Sequence, residues 1–364
     1  METKRYGDLD QIVKDLDQLV KEYIDQDETV TLPLLTIGGT GYVTFKRTEF
    51  LNKRLLAVNS KLELCKQQNL KEDINEYLFL NEQLSSAKIE GANTSIQRLK
   101  ELIANPEKKR NKSDKMVLDI IEGIKQPMYG YATNKWLIDT WKVATANSLE
   151  NKSAGANGFR ADMVYLGNSE RIVHVPEKPE FIEERMQSLM DYVNNEKDKL
   201  LAAIVAHFYF EYIHPFCDGN GRMGRLLAHR VLFMNDEFGI GVNIPVISTL
   251  CGNTPSYYKY LLVSEHKDEK GNIDITPFIN FMISMYTVAT ARYLISAQEL
   301  SPKEAKLLQK MNKPHKGIIS VEKAAQIMGS SNHKALLTLL DLEERGFLKM
   351  EGEEFHLYWR KLET

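Results

Sequence analysis

The sequence is poor in cysteine and has almost no excess of charge of one sign, and both features exclude classes of protein. Among 364 residues, the only cysteines are Cys65, Cys217 and Cys251, which are far apart and share no metal-ligand spacing. A disulfide scaffold and a zinc site are therefore not expected. The 47 Lys and Arg against 50 Asp and Glu give a formal net charge of -3. Without a global basic excess, any binding of nucleic acid must use a local patch.

Long apolar runs and an N-terminal leader are also lacking. No run of about 18 uncharged apolar residues exists, so no membrane-spanning helix and no membrane partner are expected. The charged start METKRYGDLDQIVKD has no apolar core of the kind found in signal peptides. We therefore expect a cytoplasmic protein with reduced thiols.

Apolar residues at helical spacing cover most of the chain, so the predicted fold class is mainly α. The predicted helices are 9–24, 48–68, 72–90, 94–105 with Thr94 as N-cap, 116–150 with a break at Gln126-Pro127, 180–195, 198–213, 221–237, 255–266 and 275–299. Two stretches alternate apolar and polar residues around glycine and predict β-hairpins, one over 31–45 and one over 161–176. The glycines of the first, Gly38, Gly39 and Gly41, lack the Gly-Lys-Ser/Thr of a phosphate loop, so a hairpin turn is favoured.

The last part of the chain has the element order of a winged helix-turn-helix. Helices are predicted over 303–312, 320–328 and 332–345, followed by strands over 347–350 and 354–360. This divides the chain into an N-terminal helical and hairpin region (1–70), a central domain (71–300) and a C-terminal module (301–364). The module has 11 Lys and Arg against 9 Asp and Glu. That charge is weak for DNA binding, so contact with a protein is at least as favoured.

One short segment, residues 214–225 with the sequence HPFCDGNGRMGR, concentrates residue types that suit phosphate chemistry. Pro215 prevents the apolar helix before it from continuing. Gly219 and Gly221 allow the backbone to approach a ligand closely. A new helix beginning near Gly221 directs its free N–H groups and its dipole back into the turn. The segment is therefore a candidate anion site.

Side chains of the same segment add charge and a base. Arg222 and Arg225 lie three residues apart on the first helical turn, so both guanidinium groups are expected to face the same anion. Asp218 is a hard oxygen ligand suited to Mg²⁺ on a phosphate. His214 can accept a proton near neutral pH. Each of these residues alone is commonly a cap, a turn residue or a solvated side chain, but together within twelve residues they predict a catalytic site.

This segment resembles the signature of the Fic family, H-x-F-x-[DE]-G-N-G-R-x-x-R, at every position. The similarity covers about residues 70–290 and includes GFRADMVYLG (158–167), which looks like the hairpin that the family calls its flap. The resemblance implies a Fic helical bundle with a β-hairpin flap, to which the C-terminal winged-helix module is added. Most Fic proteins transfer AMP from ATP to a Ser, Thr or Tyr hydroxyl of a target protein. The expected activity is therefore protein adenylylation with ATP and Mg²⁺, on a target protein or on the chain itself, and a homodimer is possible.

The resemblance also assigns roles to the residues of the signature. His214 would be the general base that takes the proton of the target hydroxyl, and Asp218 would hold Mg²⁺ between the α- and β-phosphates. Phe216 would anchor the loop in the core. Arg222 would bind the region of the β-phosphate and Arg225 the γ-phosphate.

Three further residues of the loop, Gly219, Asn220 and Gly221, would cradle the phosphates, with the side-chain amide of Asn220 as an added donor. In the flap, the resemblance implies that an extended segment of the target pairs with the strand formed by Val164, Tyr165, Leu166 and Gly167. An ordinary surface hairpin is the alternative.

The nucleotide base is less well assigned. Tyr257 aligns with a family tyrosine that packs on adenine, and a core aromatic residue is an equally good interpretation. Some relatives have an Asn eight residues further on, where this chain has Glu265.

A second motif lies before the Fic core. Ser86-Ala87-Lys88-Ile89-Glu90-Gly91 matches the family's inhibitory motif, [ST]-x-x-x-E-[GN]. Ser86 and Glu90 share one helix face, and Gly91 is suited to end the helix. The resemblance implies that Glu90 pairs with Arg225, occupies the γ-phosphate site and inhibits the same chain. In some relatives, this glutamate also helps to remove AMP from the target.

Two other functions remain open at this point. The chain could transfer another group, such as UMP, phosphocholine or phosphate, because the residues of the base pocket are not fixed by the sequence. It could also be a transcriptional regulator whose Fic core only senses a nucleotide. The complete signature argues against the second alternative.

Overall fold

A computed structural model describes residues 28–68, 70–149, 155, 157–167, 172–235, 243–297, 302–311, 318–344, 348–351 and 358–361. The chain is mainly helical in these residues, as predicted. The helices there are α1 (Glu49–Lys66), α2 (Glu72–Ile89), α3 (Ile96–Ala104), α4 (Lys112–Ile124), α5 (Asn134–Ala144), α6 (Pro179–Asn195), α7 (Lys199–Ile213), α8 (Asn220–Phe233), α9 (Val246–Cys251), α10 (Thr254–Ser264), α11 (Thr276–Ser296), α12 (Pro302–Met311), α13 (Val321–Met328) and α14 (Asn332–Glu344). The strands are β1 (Glu28–Leu35), β2 (Tyr42–Arg47), β3 (Leu166–Gly167), β4 (Ile172–His174), β5 (Ile273–Asp274), β6 (Ile318–Ile319), β7 (Leu348–Glu351) and β8 (Tyr358–Lys361). The helix predicted over 9–24 lies outside the described residues.

Helix α7 forms the centre of the helical core because it is apolar on almost every face. Apart from Lys199 and Glu211, all of its residues are buried. It begins at Asp198, whose carboxylate accepts hydrogen bonds from the backbone N–H groups of Leu200 and Leu201, both at 3.1 Å. Helix α8 packs along α7, so the turn that connects them lies at the edge of the core.

The start of α3 corrects one sequence prediction. Ser95, rather than Thr94, is the N-cap, and its hydroxyl accepts a hydrogen bond from the backbone N–H of Arg98 at 3.2 Å. The hydroxyl of Thr94 instead donates to the buried carboxylate of Asp114 at 2.8 Å. A buried carboxylate requires donors, and it recruits the hydroxyl that a local prediction assigns to the helix.

The N-terminal hairpin is confirmed and extends into a mixed sheet. Strands β1 and β2 pair antiparallel, and Gly38 and Gly39 have φ of 79° and 67°, which suits a tight turn without a Cβ. Strand β2 also pairs in parallel with β5, where Val43 lies opposite Ile273. The tip of the hairpin contacts the end of α7, since the backbone N–H of Ile37 donates to the hydroxyl of Tyr212 at 3.1 Å.

The predicted break at Gln126-Pro127 within 116–150 is confirmed, and it separates two helices, α4 and α5. The intervening loop contains Pro127 and is held from α8 by Arg230, whose guanidinium donates to the carbonyl groups of Pro127, Gly130 and Tyr131. The same guanidinium lies 4.4 Å from the ring centroid of Trp136. A buried arginine thus fixes a break that the sequence places only approximately.

Helix α11 is the one helix among the described residues that bears on the expectation about membrane spans. By length and composition alone it could cross a membrane, although 67% of its most apolar 18-residue window is buried inside the protein. This is weak evidence for a span, because core helices of folded domains have the same composition. The helix contains one charged residue, Arg292, so it is not an uninterrupted run of uncharged residues.

The C-terminal part forms three helices and a three-stranded sheet with strand order β6-β8-β7. Strand β6 was not predicted. The side chain of Glu343 points inward, since its carboxylate accepts hydrogen bonds from the backbone N–H of Met350 at 3.0 Å and from the indole N–H of Trp359 at 3.1 Å. The turn around Gly352 lies outside the described residues. The winged-helix assignment and the domain boundaries at 70 and 300 stay predictions.

After α5, the turn at residues 145–148 is held by one buried carboxylate. Asp119 accepts hydrogen bonds from the backbone N–H of Ser148 at 2.8 Å and from the backbone and side-chain N–H groups of Asn147 at 2.9 and 2.8 Å. This turn matters for function because Ser148 contacts an arginine of the signature, as described below.

We expect Asp119→Ala to lower the free energy of unfolding by ~2–4 kcal/mol, because it leaves buried N–H donors unsatisfied. Chemical denaturation measures this change. Asp139→Ala is the control, because Asp139 forms only exposed pairs with Lys135 and Lys142, and a change within about 0.5 kcal/mol is expected there. Equal stability of the Asp119→Ala variant and the native chain would contradict the role given to this carboxylate.

Candidate active site

The turn between α7 and α8 has a backbone conformation that places a histidine outside the helix. The chain leaves α7 at His214, which has a left-handed conformation with φ of 55° and ψ of 64°. Among the described residues, it alone has positive φ without being glycine. Its backbone N–H donates to the carbonyl of Phe210 at 2.9 Å. A non-glycine residue in this conformation is strained by ~1–3 kcal/mol, and such strain is commonly found at functional sites.

The ring of His214 is oriented as a base. Its Nδ1 lies 3.3 Å from the carbonyl oxygen of Glu211, and since a carbonyl only accepts, Nδ1 carries the proton. The other ring nitrogen, Nε2, then has the free lone pair. Burial, as the largest cause, lowers the pKa of His214 to about 4. The imidazole is therefore neutral at neutral pH and able to accept a proton.

The loop after His214 is fastened to the core by an aromatic stack. Phe216 is fully buried and lies parallel to Trp141, with ring centroids 4.6 Å apart. The indole N–H of Trp141 also donates to the carbonyl oxygen of Asp218 at 2.9 Å. The predicted role of Phe216 as an apolar anchor agrees with this contact, and Trp141 is an anchor that the sequence did not indicate.

Asn220 has a different contact from the one predicted for it. Its side-chain oxygen accepts a hydrogen bond from the backbone N–H of Phe216 at 2.9 Å, and its side-chain nitrogen donates to the carbonyl of Phe216 at 2.8 Å. Both ends of the amide are thus used inside the loop, and the residue is buried. In this structure, Asn220 therefore shapes the loop instead of offering its amide to a phosphate.

Asp218 is suited to bind a metal ion together with a phosphate. It is the exposed residue of the turn, and one carboxylate oxygen accepts a hydrogen bond from the backbone N–H of Gly219. No group of three or more His, Cys, Asp and Glu side chains that could hold a metal occurs in the described part of the chain. Mg²⁺ commonly takes one or two carboxylates, with waters and substrate phosphates completing its shell, so a single exposed carboxylate fits this ion.

The segment 86–91 reaches the site as predicted. Glu90 ends α2, and its carboxylate lies 2.7 Å from Nη2 of Arg225. Arg225 also donates from Nε to the hydroxyl of Ser86 at 2.9 Å and from Nη2 to the carbonyl of Ser86 at 3.0 Å. Gly91 follows with φ of 83°, the conformation that ends the helix. The pairing of Glu90 with Arg225 and the shared helix face are confirmed.

The carboxylate of Glu90 occupies space that a glycine leaves open in α8. A Cβ atom placed on Gly221 would lie only 2.2 Å from Oε1 of Glu90. Gly221 belongs to the first turn of α8, where Gly219 is the N-cap with φ of 79° and no side chain caps the helix. The first turn of a helix attracts anions. Glu90 therefore lies where the loop is expected to cradle a phosphate.

The two signature arginines do not face the same group, and this corrects the sequence prediction. Nη1 of Arg222 donates to the hydroxyl of Ser148 at 2.8 Å and lies 3.4 Å from the carbonyl oxygen of Ala144, on the side of α5. Arg225 faces α2 instead. Both side chains are buried. Residues three apart lie on one side of a helix, so Arg222 and Arg225 share one side of α8. The segments that pack against this side differ, and each guanidinium therefore has its own partners.

The predicted flap hairpin is present. Among its described residues, Leu166 and Gly167 pair with β4, and Val164 and Tyr165 lie before the strand; the turn at 168–171 lies outside the described residues. Tyr165 is 59% exposed. An isolated two-stranded hairpin is marginally stable. The position of this segment must therefore depend on contacts with the rest of the protein.

Tyr257 is buried in the core, 1% exposed, and its hydroxyl lies 2.9 Å from Nε2 of His207. This supports the interpretation as a core aromatic residue over contact with adenine. Glu265 forms an ion pair with His174 of the flap at 2.7 Å. The contact of His174 was not predicted, because the alternating pattern around it indicates a strand and does not indicate a distant partner.

The fold and the turn together define a helical protein with a histidine and an anion-binding helix start at one edge. Residues 132–232 match the sequence model of the Fic/DOC family. The chain is 30% identical over 145 residues to the protein adenylyltransferase Fic of Nematostella vectensis, a match covering 39% of this chain and 30% of that protein. It is 29% identical over 177 residues to a probable protein adenylyltransferase of Aquifex aeolicus, covering 46% and 51% of the two chains. The matches thus span between about a third and a half of these relatives.

Solved structures support the same fold. A Fic family protein from Desulfovibrio desulfuricans superimposes with a TM-score of 0.57 at 19% identity, covering 85% of this chain and 96% of that chain. Fic-1 from Caenorhabditis elegans gives a TM-score of 0.51 at 18% identity, covering 67% and 72%. The chain therefore has the helical Fic fold, and its residues 132–232 match the Fic/DOC family.

We expect the C2 proton of His214 to keep a constant NMR chemical shift between pH 8 and about pH 5 and to titrate with a pKa near 4. Burial disfavours the imidazolium, so the folded protein binds this proton only at lower pH than the unfolded chain, whose histidines titrate near 6.5. The proton uptake on unfolding also makes the folded state less stable as the pH falls from about 6.5 towards 4. The urea-unfolded protein is the control, and a His214 pKa of 6 or above in the folded state would contradict this assignment.

Proposed function

We propose that the chain is a protein adenylyltransferase, which transfers AMP from ATP to a Ser, Thr or Tyr hydroxyl and is inhibited by its own Glu90. The observation that supports this best is the ion pair of Glu90 with Arg225, formed beside Gly221 at the start of α8 and on the same turn as His214. A buried arginine, an open helix start and a neutral histidine are the parts needed for transfer of a phosphate-bearing group.

In the proposed reaction, the target hydroxyl oxygen attacks the α-phosphorus of ATP. A bond forms between that oxygen and phosphorus, and the bond from phosphorus to the bridging oxygen breaks, which releases pyrophosphate. Nε2 of His214 takes the hydroxyl proton, which its free lone pair and its neutral state allow. A positioned base typically increases the rate about 10²–10⁴-fold.

Charge neutralisation is the second contribution. The first turn of α8 and the guanidinium of Arg225 lie together where Glu90 is now held. An ATP triphosphate would replace the carboxylate as the anion at this position. Asp218 would hold Mg²⁺, which neutralises phosphate charge. Because Arg225 is buried, its interaction with an anion is weakly screened by solvent.

The same contacts explain inhibition. The carboxylate of Glu90 takes the place of a phosphate oxygen, and two anions cannot share one guanidinium without repulsion. Glu90 itself is about one-third exposed, with 32% side-chain exposure, so it can exchange between Arg225 and solvent. Because Glu90 precedes the Fic domain on the same chain, we propose that inhibition is intramolecular.

We propose a protein hydroxyl as the acceptor, and the chain can also modify itself. The exposed Tyr165 lies on the flap, with which the acceptor segment would pair. A cytoplasmic location and a homodimer are further proposals.

Transfer of UMP, phosphocholine or phosphate is the second candidate reaction. Tyr257 is buried and Glu265 is bonded to His174, so neither residue identifies the nucleotide base as adenine.

The C-terminal helix α14 exposes Leu337 and Leu340, and these apolar side chains favour contact with a protein over contact with DNA.

We expect Glu90→Gly to raise incorporation of label from α-labelled ATP by on the order of tenfold or more, since a charged hydrogen bond of ~1.5–3 kcal/mol no longer competes with ATP. Adding His214→Ala should lower the rate about 10²–10⁴-fold. Labelling of the chain itself and of a cell lysate, followed by mass spectrometry for an added AMP, measures both changes.

Glu122→Gly is the matched control, because Glu122 is an exposed glutamate near the end of α4 that pairs only with Lys125. Its labelling should equal that of the native chain. Equal labelling by the native chain, Glu90→Gly and Glu90→Gly with His214→Ala would contradict the proposal. Label transferred more efficiently from UTP or CDP-choline than from ATP would favour transfer of UMP or phosphocholine.

Removal of Mg²⁺ with EDTA should abolish labelling by the Glu90→Gly variant, and Asp218→Asn in that background should lower it on the order of 10²-fold at 1 mM Mg²⁺, because charge stabilisation is lost. Partial recovery at higher Mg²⁺ concentration distinguishes weaker metal binding from misfolding. A rate that is unaffected by EDTA would overturn the assigned role of Asp218.

A further inference from the structure

His174 connects three parts of the protein that meet at the candidate active site. It lies on β4 of the flap, and its side chain is 7% exposed. Nε2 is 2.8 Å from the carbonyl oxygen of Tyr212, in the last turn of α7, and Nδ1 is 2.7 Å from Oε2 of Glu265, directly after α10. One imidazole thus contacts the flap, the helix that carries His214 and the end of α10.

These two contacts define where the protons of the His174 ring are. A carbonyl oxygen only accepts hydrogen bonds, so Nε2 carries a proton. A carboxylate also accepts, so a contact of 2.7 Å between Nδ1 and Oε2 requires a proton between them. The geometry is that of a short hydrogen bond in which the imidazole and the carboxyl group share one proton. Glu265 follows the C-terminus of α10, where the helix dipole disfavours negative charge, and this hydrogen bond compensates for that position.

The contact with Tyr212 is part of the support of the strained turn. The carbonyl groups of the last turn of α7 have no partner within the helix and must find others. Phe210 accepts from the backbone of His214, Glu211 accepts from the ring of His214, and Tyr212 accepts from His174. The carbonyl of His214 itself accepts from Nε of Arg160 at 2.8 Å.

We propose that His174 and Glu265 are positioning residues, which couple the placement of the flap to the conformation of the His214 turn. An isolated two-stranded hairpin is marginally stable, and β4 is fixed to α7 and α10 through the side chain of His174. Loss of the pair should loosen both the flap, on which an acceptor would dock, and the turn that carries His214. It should not change the contacts of Arg225 or Asp218. The catalytic part of this inference rests on the proposed function, and the structural coupling does not.

The variants His174→Ala and Glu265→Ala test the coupling in the native chain by amide hydrogen exchange. We expect the amides of His174 and His214 to exchange at least tenfold faster in both variants. Glu265→Gln should remain close to the native chain, because its amide oxygen still accepts from Nδ1. In the native chain, ¹⁵N NMR should show hydrogen bonds at both ring nitrogens of His174, and in Glu265→Ala the hydrogen bond at Nδ1 should be lost.

The kinetic test uses the Glu90→Gly background. His174→Ala should lower self-modification at saturating ATP by about tenfold and leave the KM for ATP within twofold, because the ring of His174 bonds Tyr212 and Glu265 and not Arg225 or Asp218. A purely structural loss would change both parameters through the amount of folded protein, which circular dichroism measures. His266→Ala is the control, because His266 is an exposed histidine next to Glu265, and no change is expected.

The outcomes separate the two claims. Unchanged exchange at His214 in His174→Ala, or the absence of the Nδ1 hydrogen bond of His174 in the native chain, overturns the coupling. Faster exchange with unchanged self-modification overturns the positioning role. If the Glu90→Gly chain transfers nothing from ATP, the proposed function fails, and hydrogen exchange and NMR still decide whether the pair couples flap and turn.

Discussion

The arrangement of this site depends on one interaction, the pairing of the buried guanidinium of Arg225 with an anion. Arg225 is almost fully removed from solvent, so an uncompensated charge there would cost several kcal/mol. Two hydrogen bonds to Ser86 orient the group, and the carboxylate of Glu90 supplies the charge. A protein built in this way is stable when the carboxylate of Glu90 is bound to Arg225. The proposed inhibition and the proposed binding of a triphosphate are thus two occupancies of one electrostatic site.

The rest of the fold keeps the turn before α8 in a conformation that a free chain would avoid. Phe216 is stacked on Trp141, the amide of Asn220 binds both backbone groups of Phe216, and Arg160 binds the carbonyl of His214. These contacts offset the cost of the left-handed histidine. The polar residues of the signature are therefore divided between those that shape the loop and those that are free to meet a substrate.

Much of this could be predicted from the sequence because the relevant interactions are local. The apolar periodicity of α7 specified a buried helix, Pro215 specified its end, and the glycines specified an open helix start. The four-residue spacing of Ser86 and Glu90 placed both on one face. The first hairpin was also predictable, since its alternation and its glycines are short-range signals. Errors of one or two residues at helix ends, as at Thr94, arose where a distant carboxylate competed for the capping hydroxyl.

What the sequence by itself determined is the helical class, the signature loop and the helix face shared by Ser86 and Glu90. Only the tertiary structure decided which partner each charged group has. Arg222 faces Ser148 because α5 passes beside it, Asn220 turns back onto its own loop, and Tyr257 enters the core next to His207. His174 and Glu265 are 91 residues apart, and no periodicity relates them. The physical reason is that helix periodicity fixes the face of a side chain, whereas its hydrogen-bond partners depend on which helices pack against that face.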